Sequence, residues 1–459
     1  MAIAAWALEL DSGAIGGRRT TLGATGRGLV GAGGVAFDGG PNISLPAGRC
    51  DDRMGATGKG PCPPWVHLSH QSVILRAHMT RRPRASFVGV TYAGWATRQE
   101  NLERHIVDDG RLDATFHRVD GWTDDGLIER LPVPASVRGK LRSTLQARAL
   151  AAIPRPDIIW TSGRELLLPH LWAFVGRLHR PLVVELDWTV RQQEEMAPLY
   201  FGRPPRTGRH LAWALARQRA IFSRVDLFTP MSQWAADGLR TAGVTEDRIR
   251  VLHPGLDLTR WTCPSREPRQ CGPLRLLFVG SDFHRKGGDL VLDAIAGPFA
   301  GRAVVDVVTR DPVAPQPGLT VHRCEPNSSA LIALYAKADL FVMPTRADCF
   351  GHVVVEAMAS GLPAIVGDVG GVSEIVDQGV TGWRVAAERP AFFGALSEAI
   401  ARRSLLPSMG AKGRRVAELR FDGPQNDRML VDEMLMLLAR RGHHSSRSAT
   451  VGEPATAQR

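Results

Sequence analysis

Asp348 and Glu356 are the pair around which a chemistry can be built. Asp348 lies in a polar loop, and Glu356 lies just over one turn inside the apolar-periodic segment that Phe350-Gly351 opens. A carboxylate repels phosphate but accepts hydrogen bonds from sugar hydroxyls. A helix start with free backbone N–H groups does the opposite and attracts phosphate. Hydroxyl-facing acids beside phosphate-facing amides suit a sugar nucleotide. Gly370-Gly371 offers a second start of this kind, with Glu374 just inside it. Lys286 is a cation set between a strand end and the Gly287-Gly288 opening of another helix.

The surrounding pattern says what positions these groups. Leu340 to Met343 is a short continuous apolar run, the mark of a strand buried on both faces. Pro344 and the polar residues through Asp348 end it. The next segment reads as a helix to about Ser360, closed by Gly361 with Pro363 beyond it. Ala364 to Val366 is a second buried strand, and Gly370-Gly371 is expected to open another helix. Both openings then fall at the carboxyl ends of adjacent parallel strands, where open α/β sheets bind ligands.

The run from Asp339 to Val376 resembles the donor site of the group 1 (family 4) retaining glycosyltransferases. Their signature is Glu-x7-Glu followed by Gly-Gly-x-x-Glu. Here it reads Asp348-x7-Glu356, then Gly370-Gly371-Val372-Ser373-Glu374, with Asp in place of the first Glu. Gly280 to Gly287 resembles the same family's diphosphate loop, with Lys286-Gly287 matching and Ser281 where an Arg is usual. The resemblance implies an α/β chain of GT-B fold, two Rossmann-like doubly wound domains facing across a cleft. It implies that Asp348 meets the donor sugar and Glu356 the ribose, and that Lys286, with Arg285 and the Gly280 loop, holds the diphosphate. Amides at Phe350-Gly351 cradle phosphate, and Gly370, Gly371 and Glu374 shape the sugar pocket. Asp348, Lys286 and Glu356 are the candidate catalytic residues of a hexosyltransferase-type enzyme. The nucleotide-diphosphate sugar is a substrate, so no cofactor is expected. The resemblance further implies retention of anomeric configuration without a metal, and no Asp-x-Asp occurs in a plausible metal-binding loop.

The preceding half matches this family more loosely. Strands are expected at 87–92, 113–119, 157–162, 181–186 and 226–230, alternating with helices at 97–108, 137–153, 166–179, 209–223 and 232–241. That alternation argues a parallel sheet. Gly94 and Asp187, each after a strand, are the acceptor-side candidates, and an N-cap is the rival reading of Asp187. His170 reads as structural, and Glu185 as buried or cleft-lining. Ile249 to Asp257 reads as a strand leading out of this half, and Arg260 to Pro273 as a linker. The domains are therefore 81–260 on the acceptor side and 274–440 on the nucleotide-sugar side.

Composition bounds the rest. The chain has 459 residues, 44% apolar, which allows two or three domains. The net charge of +11 comes almost wholly from arginine. It reflects either codon bias or a basic face for an anionic lipid or acceptor. Basic patches with interleaved aromatics are lacking, which argues against nucleic acid. Six cysteines show no CxxC spacing and suit a reducing compartment, so a cytoplasmic protein is expected, with peripheral contact at the inner membrane face. Residues 1–80 have no persistent period and read as a disordered extension, or as sequence upstream of a start at Met79; 441–459 read as a disordered tail. Two alternatives stand beside a transferase: a catalytically inactive sugar-nucleotide-binding module, and a sugar-nucleotide epimerase of the same architecture.

Overall fold

A computed structural model describes residues 81–90, 94–119, 128, 130–133, 138, 156–162, 180–263, 265 and 271–449. The expectations for 1–80, for helices at 137–153 and 166–179, for His170 and for 450–459 fall outside these residues.

The first sheet is built from β1 (Arg84–Val90), β2 (Asp113–Val119), β3 (Ile158–Ser162), β4 (Leu182–Leu186) and β5 (Leu227–Pro230). α1 (Gly94–Asp109) links β1 to β2, and α2 (Val190–Phe201), α3 (Gly208–Phe222) and α4 (Gln233–Thr241) surround β5 in the chain. The strand order is β2-β1-β3-β4-β5, every pairing parallel. Strands β3, β4 and β5 are buried along their whole length. Both faces are therefore covered, as a parallel sheet requires.

The second sheet comprises β6 (Leu274–Val279), β7 (Ala303–Val308), β8 (Leu319–His322), β9 (Leu340–Met343), β10 (Ala364–Gly367) and β11 (Gly382–Val385). Its order is β11-β10-β9-β6-β7-β8, again wholly parallel. The helices in this half are α5 (Gly288–Ala296), α6 (Ser329–Lys337), α7 (His352–Ala359), α8 (Arg389–Ala401) and α9 (Leu406–Arg420). A last helix, α10, runs over Gly423–Ala449. In both halves the order reverses at a strand crevice, the topology that places ligands at carboxyl ends.

The core divides accordingly. One continuous cluster fills the second half around Phe278, Phe341 and Val342. The first sheet has two. Val184, Leu186 and Phe228 pack against Ile221, Ala235 and Leu239 on one face. Phe87, Trp160 and Val183 pack against Leu102, Ile106, Leu430, Val431 and Met434 on the other. Helix α10 thus belongs structurally to the first half, although it follows the second in sequence. Its crossing lies against the outward one: Leu256 N–H donates to Phe421 O at 2.9 Å, and Gly423 N–H to Leu256 O at 2.9 Å. A Cβ on Gly255 would stand 2.5 Å from the Gly423 Cα, so neither position tolerates a side chain at that approach.

Four expectations need correction. Ile249 to Asp257 is not a strand, and only the isolated bridges Phe228–Ile249 and Leu256–Asp422 form there. Gly370–Glu374 is one short 3-10 turn, not an α-helix. The backbone from 441 to 449 is helical, a continuation of α10. Helix α2 was not expected at all. Pro198 lies inside it, but Gln192 caps its start by accepting from the Thr189 N–H at 2.9 Å, and Gly202 ends it at φ 61°.

Candidate active site

The loops after β6 and β9 are pinned to each other. Arg346 N–H donates to Arg285 O at 2.8 Å, and the Arg285 guanidinium donates to Ala347 O at 2.5 Å. The Arg346 side chain forks onto both carboxylate oxygens of Asp289 at 2.8 Å, tying the β9 loop to the first turn of α5. Asp282 sits at φ 61°, in the left-handed region that Asp tolerates, and accepts from Arg285 Nε at 2.5 Å.

Glycines set the spacing here. A Cβ on Gly280 would stand 2.5 Å from Lys286 Cδ, so its absence lets the lysine stem lie across the strand end. Gly287, the N-cap of α5, has φ 78°, and a Cβ there would stand 2.2 Å from Pro344 O. The Lys-Gly pair is thus a steric solution: the glycine lets the two loops close, and the closure delivers the ammonium.

That ammonium stands 3.2 Å from Asp348 Oδ2, while the Arg285 guanidinium is 3.9 Å from the same oxygen. Burial pushes the Asp348 carboxyl up, but Lys286 and Arg285 outweigh it and hold it below the usual carboxylate range. Oδ2 still has no aligned hydrogen bond. Gly351 caps α7 at φ 85°. On that helix Glu356 is buried and accepts from the Tyr335 hydroxyl of α6 at 2.8 Å. Burial pushes the Glu356 carboxyl up to about 7, against the opposing pulls of Tyr335 and Lys286. His352, first in α7, is held neutral, pushed down to about 4 by burial.

The first half closes over this set through α2. The Arg285 guanidinium lies 4.1 Å from the Tyr200 ring centroid, a cation–π contact. The Tyr200 hydroxyl is 3.6 Å from Cys349 Sγ. Burial keeps both in their protonated forms. Trp188 packs edge-on to Tyr200 at 4.9 Å. Asp187 follows β4, and its charge reaches Cys349. It does not cap α2, because Thr189 occupies that position. Gly94 is the first residue of α1.

The Gly-Gly turn also has a packing role. Gly370 has φ 53°, and a Cβ there would meet Asp348 O at 2.0 Å and Met196 Cε at 3.1 Å. Gly371 donates its N–H to Cys349 O at 3.0 Å, and a Cβ on it would stand 2.9 Å from Ser232 Oγ. Glu374 accepts from the N–H groups of Gln233 and Trp234, at 2.8 and 2.5 Å, where α4 begins in the first half. An acid there complements the helix dipole. Glu374 is accordingly a contact between the halves.

Profiles of two glycosyltransferase families match most of what lies between β1 and α8. The one described as "Glycosyltransferase Family 4" covers residues 93–260, and "Glycosyl transferases group 1" covers 273–402. The chain belongs to the group 1, family 4 glycosyltransferases. Among curated relatives of this family 4 protein, glycogen synthase of Mycobacterium tuberculosis is 29% identical over 279 residues, covering 53% of this chain and 64% of the relative. D-inositol 3-phosphate glycosyltransferase of Nocardia farcinica is 31% identical over 196 residues, covering 37% and 44% respectively. The chain thus spans less than two thirds of the length of these two relatives. Sucrose-phosphate synthase from Thermosynechococcus elongatus superposes at TM-score 0.64, with 16% identity, over 78% of this chain and all of that one. Anabaena Alr3699/HepE in complex with UDP-glucose superposes at 0.57, with 17% identity, over 76% and 99%. These likenesses establish the GT-B fold of two parallel-sheet, Rossmann-like domains.

Three contributors had escaped sequence reading. Tyr200 lies on the unexpected helix. Tyr335 was read only as a helix residue, although its position one buried face away from Glu356 is a tertiary fact. Arg98 pairs with Glu185 at 2.8 Å and with Asp427 at 2.7 Å, and His105 lies 2.6 Å from Asp427. No local spacing relates Asp427 to Arg98.

Proposed function

We propose that this family 4 protein is a glycosyltransferase that moves a sugar from a nucleotide-diphosphate sugar to an acceptor hydroxyl, with retention of configuration and without a metal. The observation that carries the reading is the convergence of Lys286, Asp348 and Glu356 at the opening of α7, between two carboxyl-end loops locked together by Arg285 and Arg346. Lys286 and the N–H groups at Gly351 and His352 receive the diphosphate, and Arg285 adds a second cation. Glu356 accepts from the ribose hydroxyls, and Asp348 from the donor sugar. As the glycosidic bond breaks, negative charge grows on the leaving diphosphate. A preorganised cation is worth most there, roughly 3 kcal/mol for one such donor group. On the front-face path the leaving phosphate oxygen takes the acceptor proton while the new bond forms on the same face. No protein nucleophile is then needed. A uridine nucleotide with glucose is the donor to try first, because the superposing Anabaena protein holds UDP-glucose.

Calorimetric titration of UDP, GDP and ADP into the wild type and Glu356→Ala tests the donor site. One nucleotide should bind, and the variant should lose at least about tenfold in affinity, the scale of a lost charged hydrogen bond. Sugar release from the matching donor, followed by proton NMR of the product anomer with and without EDTA, tests the chemistry. A folded protein that binds no nucleotide and releases no sugar defeats the proposal.

A further inference from the structure

The first half carries a surface that donor chemistry does not use. From Met196 to Val225 the chain has no acid and contains six arginines and His210; Arg203 and Arg206 turn back onto the buried Glu194, which leaves Arg209, Arg217, Arg219 and Arg224. The middle of this stretch is helix α3. Its inner side is Ala214, Gln218, Ile221 and Phe222, all buried. Its outer side presents Arg209, Trp213, Ala216 and Ala220, which recur at helical spacing, with Arg217 half-buried beside them. Arg219 lies on the same exposed arc, and Arg224 follows the helix. Trp213 is 48% exposed, and the Arg217 guanidinium lies 5.7 Å from its ring.

An indole half-exposed among arginine and alanine has the composition of a lipid interface. Tryptophan settles at headgroup depth, arginine meets lipid phosphate while its stem packs below, and alanine keeps the ridge low enough for both to reach. The charge has the right sign for an anionic leaflet, and the chain's net +11 adds a general attraction. Among the described residues no helix is long and apolar enough to cross a membrane, so contact at α3 would be at the surface.

We infer that the outer face of α3 docks the protein on an anionic lipid bilayer. Helix α3 follows α2 after a short connection, and α2 carries Tyr200 over Arg285. The inference does not depend on the donor chemistry.

The test is flotation of the full chain with vesicles of phosphatidylcholine alone and of phosphatidylcholine mixed with phosphatidylglycerol. The protein should float with the mixed vesicles only, and less as salt rises. Arg209→Glu with Arg219→Glu should weaken binding at least about tenfold, given a contribution near threefold to fivefold from each arginine at such a surface. Trp213→Ala should weaken it severalfold. A control with the same charge change elsewhere, Arg389→Glu with Arg402→Glu, should bind as the wild type does. Melting curves check that each variant is folded. The inference is overturned if the wild type ignores anionic vesicles at low salt, if the α3 variants bind normally, or if the control loses as much as they do.

Discussion

Two buried charge clusters, one in each half, are built on opposite principles. In the first half Arg98 is enclosed by Glu185 and Asp427, with His105 behind Asp427. Burial disfavours the Arg98 charge, but the two carboxylates outweigh it and hold it fully protonated. Arg98, Glu185 and Asp427 all have aligned partners, and only the outer ring nitrogen of His105 lacks one. In the second half Asp348 Oδ2 faces two cations without an aligned hydrogen bond, and Glu356 is poised near neutrality with one hydroxyl for company. The first cluster is closed and holds three elements, α1, β4 and α10, in place. The second is open, and a ligand can supply what it lacks. A buried charge therefore says little about function until its partners have been counted.

The largest effect should come from breaking the closed cluster. Arg98→Met strands two buried carboxylates and should cost about 3–5 kcal/mol of stability, read from denaturant melts. Nucleotide affinity of the molecules that remain folded should fall far less than their stability does, because Arg98 reaches the start of α7 only through its charge on His352. Lys286→Ala should do the reverse. Turnover should fall about 100- to 1,000-fold, as for loss of one oxyanion donor, with the melting midpoint nearly unchanged. If Lys286→Ala destabilises as Arg98→Met does, the contrast between the clusters fails.

Acidity sharpens the contrast further. The Glu356 carboxyl is raised from 4.5 to about 7 in the folded chain. The folded state therefore holds a proton that the unfolded state has released across that window. Its contribution to stability is greatest below 4.5 and declines as pH rises through 7. Nucleotide binding through ionised Glu356 should run the other way, losing about tenfold in affinity for each pH unit below the folded value. Glu356→Gln should flatten both profiles, and a slope that survives in the variant assigns the proton elsewhere. Tyr335→Phe should cost about 1 kcal/mol and move the Glu356 titration upward, read from the same binding-versus-pH curves. The smallest effect belongs to Tyr200. Tyr200→Leu should weaken nucleotide binding severalfold through Arg285, whereas Tyr200→Phe keeps the ring and should bind normally, since an exposed-to-buried cation–π contact is worth about 0.5–2 kcal/mol.

The two halves also differed in what their residues disclosed. Around β9 and α7 the pattern is local: an apolar run, a loop, a glycine start and an acid one turn in. Asp348, Gly351 and Glu356 could be placed by reading consecutive residues. Lys286 was placed for the same reason, by Gly280 and Gly287 on either side of it. The contact of Glu374 with α4 was not legible because its partner, the start of α4, is far away in the chain, and the glycines before it also answer to Ser232, Met196 and two carbonyls. Helix α2 was missed although a Thr189–Gln192 capping signal was present in the sequence. Strands β3 to β5 were legible as buried runs. The Arg98 cluster was not, since nothing but the fold brings Asp427 back to residue 98.

That return has a consequence for synthesis. A ribosome that has just completed α9 has delivered every strand of both sheets. Phe87, Trp160 and Val183 still await Leu430, Val431 and Met434, and Arg98 still awaits Asp427. The half made first is the last to be finished, and until α10 leaves the exit tunnel it presents an apolar sheet face suited to chaperone capture.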